Sequence, residues 1–264
     1  MPYTPSRPFL VAAVQISPAF LDRDATVDRA CAAIADAGAR GARLVVFPEA
    51  FVPGYPLWVW STAAGQTQVL RALYAELLDQ AVTVSSPAVD RLREAARDAG
   101  VYVTIGVNER NVEASGTSLF NSLLFIGADG QILGMHRKLV PTAGERLVHA
   151  QGDGSTLTAY DTPLGRLGGL ICWENYMPLA RTALYGQGVQ VYVAPTWDNS
   201  EEWVPTLRHI AKEGSCHVVG VTPFLRASDV PADIPGRDEL YGGEDDWMSR
   251  GNTTIVAAGG AIVA

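Results

Sequence analysis

Apolar runs of strand length recur along the whole chain: FLVAAVQI, RLVVFP, VYVTIGV, SLLFIGADG, QILGMHRK, RLGGLICW, VQVYVAP and HVVGVTP. Several are separated by stretches whose apolar positions repeat at helical spacing. Those stretches fall over roughly 22–38, 67–81, 87–99, 176–187 and 204–214, most closed by a glycine where a C-cap would stand. In the first, Val27, Cys31 and Ile34 share one face, so the pattern places Cys31 in the core. The rhythm is α/β. Asp129-Gly130 between two strand runs signals a hairpin, which requires a mixed sheet. A simple dinucleotide-binding fold is disfavoured on that ground and by the absence of GxGxxG.

The pattern weakens in two places. Residues 226–250, RASDVPADIPGRDELYGGEDDWMSR, are polar, acidic and rich in Pro and Gly, and read as a long surface loop near the site or at an oligomer contact. The closing GNTTIVAAGGAIVA reads as a strand, a tight turn and the start of another strand, an unfinished pattern that raises truncation at Ala264 as an expectation. No repeat of 20–50 residues is visible. Residues 1–264 therefore read as one sizeable domain.

Composition narrows the function. At 48% hydrophobic and a formal net charge of -8, the chain can bury a large core and should repel nucleic acid and anionic membrane surfaces. The first apolar stretch is only about nine residues, is broken by Gln15 and lacks a basic leader, so it reads as a strand in a soluble, cytoplasmic protein. Cys31, Cys172 and Cys216 form no CxxC pair, which argues against a disulfide framework and a zinc site. Of the 20 basic residues only Lys138 and Lys212 are lysines, so each calls for an explanation.

Cys172 follows the buried run RLGGLI and precedes NYMPLARTALYGQG, a helix in which Asn175 suits the N-cap and Pro178 the first turn. A thiol at such an elbow gains from the helix start, which favours thiolate and offers N–H groups to an anion; a free cysteine is otherwise commonly a small buried hydrophobe. Glu49 lies just past RLVVF among Phe47, Phe51 and Tyr55, where desolvation would raise its pKa toward that of a general base. Lys138 ends a third run, and Glu145 follows seven residues later, able to pair with it or orient a water. Taken singly, each has a structural alternative: a solvated strand-end acid, a salt bridge, a loop carboxylate beside Arg146. Together they would converge on one rim of an α/β sheet. The histidines His136, His149, His209 and His217 show no metal-ligand spacing.

The segments FPEAFVPGYP, HRKLVPTAGERLVHAQGDGS and GLICWENYMPLARTALYGQGVQVYVAPTWD resemble the nitrilase superfamily of carbon–nitrogen hydrolases, and Trp173-Glu174 after the cysteine resembles its nitrilase branch. The resemblance implies a four-layer αββα sandwich with mixed sheets and a Glu49-Lys138-Cys172 triad supported by Glu145. It also implies hydrolysis of a small organic nitrile through a cysteine thioimidate and thioester, with no metal or organic cofactor, and self-association into dimers and larger spirals. Tyr55, Trp173 and Trp197 are candidate pocket walls, or equally core aromatics. An amidase or cyanide-hydrolysing enzyme with the same triad, and a catalytically silent scaffold, are the competing readings.

Overall fold

In the computed structural model, which describes residues 8–63, 65–113, 115–243 and 246–264, the strand runs assemble into two five-stranded sheets. The first takes β1 (Leu10–Ala13), β2 (Ala42–Val46), β3 (Tyr102–Arg110), β4 (Leu119–Ile126) and β5 (Ile132–Arg137) in that order. The second runs β12 (Thr254–Val256), β9 (His217–Val221), β8 (Val191–Pro195), β7 (Gly165–Gly169), β6 (Tyr160–Thr162). Within the first, β1, β2 and β3 are parallel and β3–β4–β5 antiparallel; within the second, β7, β8 and β9 are parallel and flanked by antiparallel β6 and β12. Both sheets are mixed, and Gly130 turns between β4 and β5 at φ 77, a conformation glycine adopts without a Cβ penalty.

Side-chain alternation along the strands sorts the apolar residues into layers. Leu44, Val46, Leu123 and Phe125 of the first sheet meet Leu167, Val191, Val193, Val219 and Val221 of the second in one buried cluster between the sheets. The intervening Val45, Leu124 and Ile126 face outward to pack under α1 (Arg23–Ala39) and α3 (Pro87–Ala99). Tyr192, Ala194 and Val218 likewise pack under α4 (Pro178–Gly186) and α5 (Trp203–Glu213). Burying a Leu or Val side chain contributes about 1.5–3 kcal/mol, so a sequence apolar on both faces of its central strands is stable only with a helical layer outside each sheet. The four-layer αββα expectation is met.

Cys31 does not join the interior: Val27 and Ile34 are fully buried, whereas Cys31 is half-buried at the α1–α3 seam with its thiol near the Arg91 carbonyl. Residues 226–250 are more ordered than their composition suggested. The ladder of β10 (Phe224–Arg226) with β11 (Trp247–Arg250) encloses α6 (Arg237–Leu240), and Leu225, Ala227, Val230, Leu240 and Tyr241 anchor it in a cluster with α2 (Thr67–Gln80) through Leu73 and Leu77. Five apolar side chains at irregular spacing suffice to dock a segment whose remaining residues are polar. Residues 244 and 245 of it lie outside the described residues.

Candidate active site

The strand directions bring the polar strand ends together. Two antiparallel steps from β3 return β5 to the direction of β2, so Glu49, past β2, and Lys138, past β5, emerge at one end of the first sheet. Cys172 follows β7 and Trp197 follows β8 in the second. The Pro48–Ala50 turn lies so close over β3 that a Cβ on Gly106 would collide with the Pro48 carbonyl, which requires glycine there. Ala50 at φ 46, Ala143 at φ 41 and Cys172 itself at φ 53 hold left-handed conformations that cost a non-glycine residue about 1–2 kcal/mol. Each aims the segment carrying one of the polar groups.

Lys138 is fully buried and bonds two carboxylates at once. Its Nζ donates to Glu49 Oε1 at 2.8 Å and to Glu145 Oε1 and Oε2 at 3.0 and 2.8 Å. Asn121 Nδ2 donates to Glu49 Oε1 and the Trp197 N–H to Glu49 Oε2, both at 2.8 Å. Glu145 accepts from the Tyr55 hydroxyl at 2.7 Å and the Thr142 N–H at 2.9 Å, and Trp60 Nε1 donates to the Tyr55 oxygen at 3.1 Å.

Electrostatics separates the members. Burial raises the pKa of Glu49, opposed by Lys138 and reinforced by Glu145. Burial also penalises the Glu145 carboxylate, but Lys138 and the hydrogen bonds from Lys138 and Tyr55 outweigh it and hold Glu145 below the usual range. Burial disfavours the Lys138 ammonium, yet the Glu49 and Glu145 carboxylates hold it above its usual range. The Cys172 thiol is pushed up to about 12, first by burial and then by Glu49, with Lys138 and a hydrogen bond from Thr196 pulling the other way. The resting sulfur is therefore a neutral thiol.

That corrects the expectation of a thiolate held by a helix start. Cys172–Tyr176 is a 3-10 turn and α4 begins only at Pro178, with Met177 rather than Asn175 at its N-cap. Asn175 instead staples the elbow, donating to the Leu170 and Cys172 carbonyls at 3.0 and 2.8 Å and accepting from Tyr192. Phe47 and Phe51 pack in the outer core with Val27 and Leu92, so of the three expected rings it is Tyr55 that faces the carboxylates.

A cleft of about 560 Å³ opens above Cys172 and Glu145, walled by Tyr55, Trp60, Trp173, Tyr176 and Trp197. Tyr55 and Trp197 stack with centroids 5.0 Å apart, and Trp173, half-exposed at the mouth, tilts onto Tyr176 at 5.1 Å. All three expected pocket aromatics line it. Asn121, Thr196 and the buried pair Glu174–His136 went unread in the sequence; Asn121, at the start of β4 where that strand meets the Glu49 rim, was foreshadowed only by being polar in an apolar run. Neither His136 nor His149 bonds Cys172: His136 Nε2 meets Glu174 and His149 Nε2 meets Asn108 Oδ1. Among the described residues no group of three or more His, Cys, Asp or Glu is arranged to hold a metal ion, and no helix is long and apolar enough to cross a membrane.

Residues 10–264 match the family model described as carbon-nitrogen hydrolase. Nitrilase 1 of Arabidopsis thaliana is 42% identical over 262 residues, spanning 98% of this chain and 73% of that protein. An aliphatic nitrilase of Sinorhizobium fredii is 42% identical over 258 residues, 97% of this chain and 82% of the other. A bifunctional nitrilase/nitrile hydratase of Nicotiana tabacum is 41% identical over 256 residues, 95% and 70% of the two chains. Among solved structures, an amidase of the nitrilase superfamily from Nesterenkonia superposes with a TM-score of 0.71 at 19% identity, covering 96% of this chain and 84% of its own, which speaks to the fold alone. The chain belongs to the carbon–nitrogen hydrolase family, on its nitrilase branch.

Proposed function

We infer that the protein hydrolyses a small organic nitrile to the carboxylic acid and ammonia, with Cys172 as nucleophile, Glu49 as general base, Lys138 as electrophilic support and Glu145 as the carboxylate that fixes Lys138 and orients water. Glu49 takes the thiol proton as sulfur bonds to the nitrile carbon, and the nitrile nitrogen is protonated to give a thioimidate. A first water, its proton taken by Glu49, adds to the carbon–nitrogen double bond. The nitrogen leaves as ammonia and a thioester remains. A second water breaks the carbon–sulfur bond, releases the acid and returns the proton to sulfur. Lys138 and the backbone N–H of Trp173 stabilise charge on the substrate nitrogen. A thiol near pKa 12 makes the base indispensable, because scarcely any thiolate exists before attack.

The observation that carries this reading is the buried ammonium of Lys138, bonded to both Glu49 and Glu145 behind the cleft that Cys172 floors. The identity of 41–42% to proteins named as nitrilases puts nitriles ahead of amides. Brief exposure to matched nitriles and amides, followed by intact mass and ammonia release, tests it. A mass gain on Cys172 with nitriles, and loss of ammonia release in a folded Cys172→Ala protein, is the expected result. Turnover surviving in Cys172→Ala, or amides alone reacting, overturns it. Self-association is part of the same reading, as the family resemblance implies. So is a reducing, cytoplasmic setting, supported by three free thiols.

A further inference from the structure

We propose that the cleft above Cys172 sorts nitriles by the charge of their tails, accepting neutral and ammonium-bearing ones and rejecting those that carry a carboxylate. The proposal rests on the nitrile reading of the same site and adds its substrate class.

Five aromatic rings make the walls, and their faces offer a cation the negative side of a ring quadrupole while offering an anion nothing. The charged groups are all of one sign. Glu145 at the floor is matched by Lys138, but Asp198 and Glu202, which also line the cleft, are not matched within it. Asp198 Oδ1 accepts from the Ser200 N–H at 2.8 Å, and among the described residues it has no ion-pair partner. Glu202 is exposed at the start of α5. Among the described residues no Lys, Arg or His lines the cleft. Lys138 is not among the lining residues; its buried ammonium sits at the reacting end, bonded to Glu49 and Glu145, and is not presented to the tail of a substrate. Arg250 lines a neighbouring cavity in company with Glu201 and Asp246.

A carboxylate tail entering the cleft would thus lose water among rings while approaching two carboxylates, with no cation to replace the hydration. An ammonium tail would exchange water for ring faces and Asp198. The electrostatic terms have opposite signs for the two tails, and low-dielectric walls strengthen both.

The test compares 4-(aminomethyl)-, 4-methyl- and 4-carboxy-phenylacetonitrile, alike in shape near the reacting carbon, by ammonia release at low ionic strength. The first two should turn over, with kcat/KM for the carboxy compound lower by about tenfold or more than for the aminomethyl one. That ratio should shrink in salt of order 0.5 M and fall toward one in Asp198→Asn and Glu202→Gln, each normalised to the methyl compound. Equal kcat/KM for the charged pair, or a ratio unchanged in both variants, overturns the proposal. Failure to turn over the methyl compound, with the matched amides hydrolysed, would instead overturn the nitrile reading. In that case the rates of Cys172 alkylation by iodoacetamide and iodoacetate, normalised to a free thiol peptide and localised by peptide mass, still read the charge. Iodoacetate should lag, and parity would sink the proposal.

Discussion

Two buried carboxylate clusters flank the Cys172 elbow, built from similar residues at similar depth. In one, Lys138 joins Glu49 and Glu145. In the other, Glu174 accepts from the Ile171 N–H at 2.7 Å, the Leu139 N–H at 2.6 Å and His136 Nε2 at 3.0 Å. His136 Nδ1 lies 3.0 Å from Thr156 Oγ1, which also accepts from the Arg137 N–H at 3.3 Å, so the ring is held at both nitrogens with Nε2 facing Glu174. Glu174 takes two donors from the backbone and one from the ring, and neither Glu174 nor His136 lines the cleft above Cys172. Leu139 and Ile171 directly neighbour Lys138 and Cys172, so Glu174 ties the strand ends of the two sheets together. The difference teaches that burial of a carboxylate does not by itself mark chemistry; the cluster proposed to react differs in sharing one ammonium and in opening, through Glu145, onto the cleft.

The widest gap between the clusters should show in Lys138→Arg. A guanidinium keeps the charge but cannot fit a slot shaped for an ammonium with three short hydrogen bonds, so Glu49 and Glu145 move apart. The expected kcat/KM loss is at least about a thousandfold, roughly 4 kcal/mol of transition-state stabilisation, in a protein still folded by circular dichroism. Near-normal turnover would show that any buried cation suffices.

Glu174→Ala should divide the clusters the other way. It strands two buried N–H groups and the His136 ring, which costs about 3 kcal/mol of folding stability, read from the urea midpoint. Glu174→Gln, retaining one oxygen, should recover part of it. Unchanged stability with lost turnover would move Glu174 into the reacting set and erase the contrast.

Much of the architecture was visible in the chain because it depends on local periodicity. The helix over 87–99 coincides with α3, its Gly100 in the left-handed conformation, and the Asp129-Gly130 hairpin sits where its residues require. The meeting of Glu49, Lys138, Glu145 and Cys172 followed from strand ends sharing one rim. Three features were hidden, each resting on long-range geometry. The Glu174–His136 bond spans 38 residues and two sheets, and nothing in the spacing announces it. The high pKa of Cys172 reflects depth of burial, which outweighs the local turn that sequence alone could assess. The docking of 226–250 depends on α2, far away in the chain, presenting Leu73 and Leu77.

His149 sharpens the contrast from beneath the reacting cluster. Burial depresses its pKa to about 4, with Glu145 opposing that shift and Lys138 adding to it. The native ring stays neutral while the unfolded chain takes up a proton near pH 6.5, about the ordinary value for histidine. Its share of stability is therefore complete above about pH 6.5 and lost as pH falls toward 4, amounting to about 3 kcal/mol. His149→Gln, which keeps a donor for Asn108, should flatten the difference in urea midpoints across that window. A wild-type slope in the variant would assign it to the carboxylates instead.

The smallest expected effect falls on Tyr55→Phe. The ring and its stack on Trp197 survive, but Glu145 loses the 2.7 Å bond from the hydroxyl and Trp60 Nε1 loses its acceptor. A hydrogen bond to a charged acceptor contributes about 1.5–3 kcal/mol, part of which Lys138 can recover by tightening on Glu145. The pKa of Glu145 should rise, because a bond favouring its charged form is gone while burial remains. The acid limb of the pH–rate profile should therefore move to higher pH, with kcat lowered about tenfold and KM for a small nitrile little changed. A KM rise with kcat intact would make Tyr55 a wall of the cleft only, and would place the boundary of the reacting cluster at Glu145.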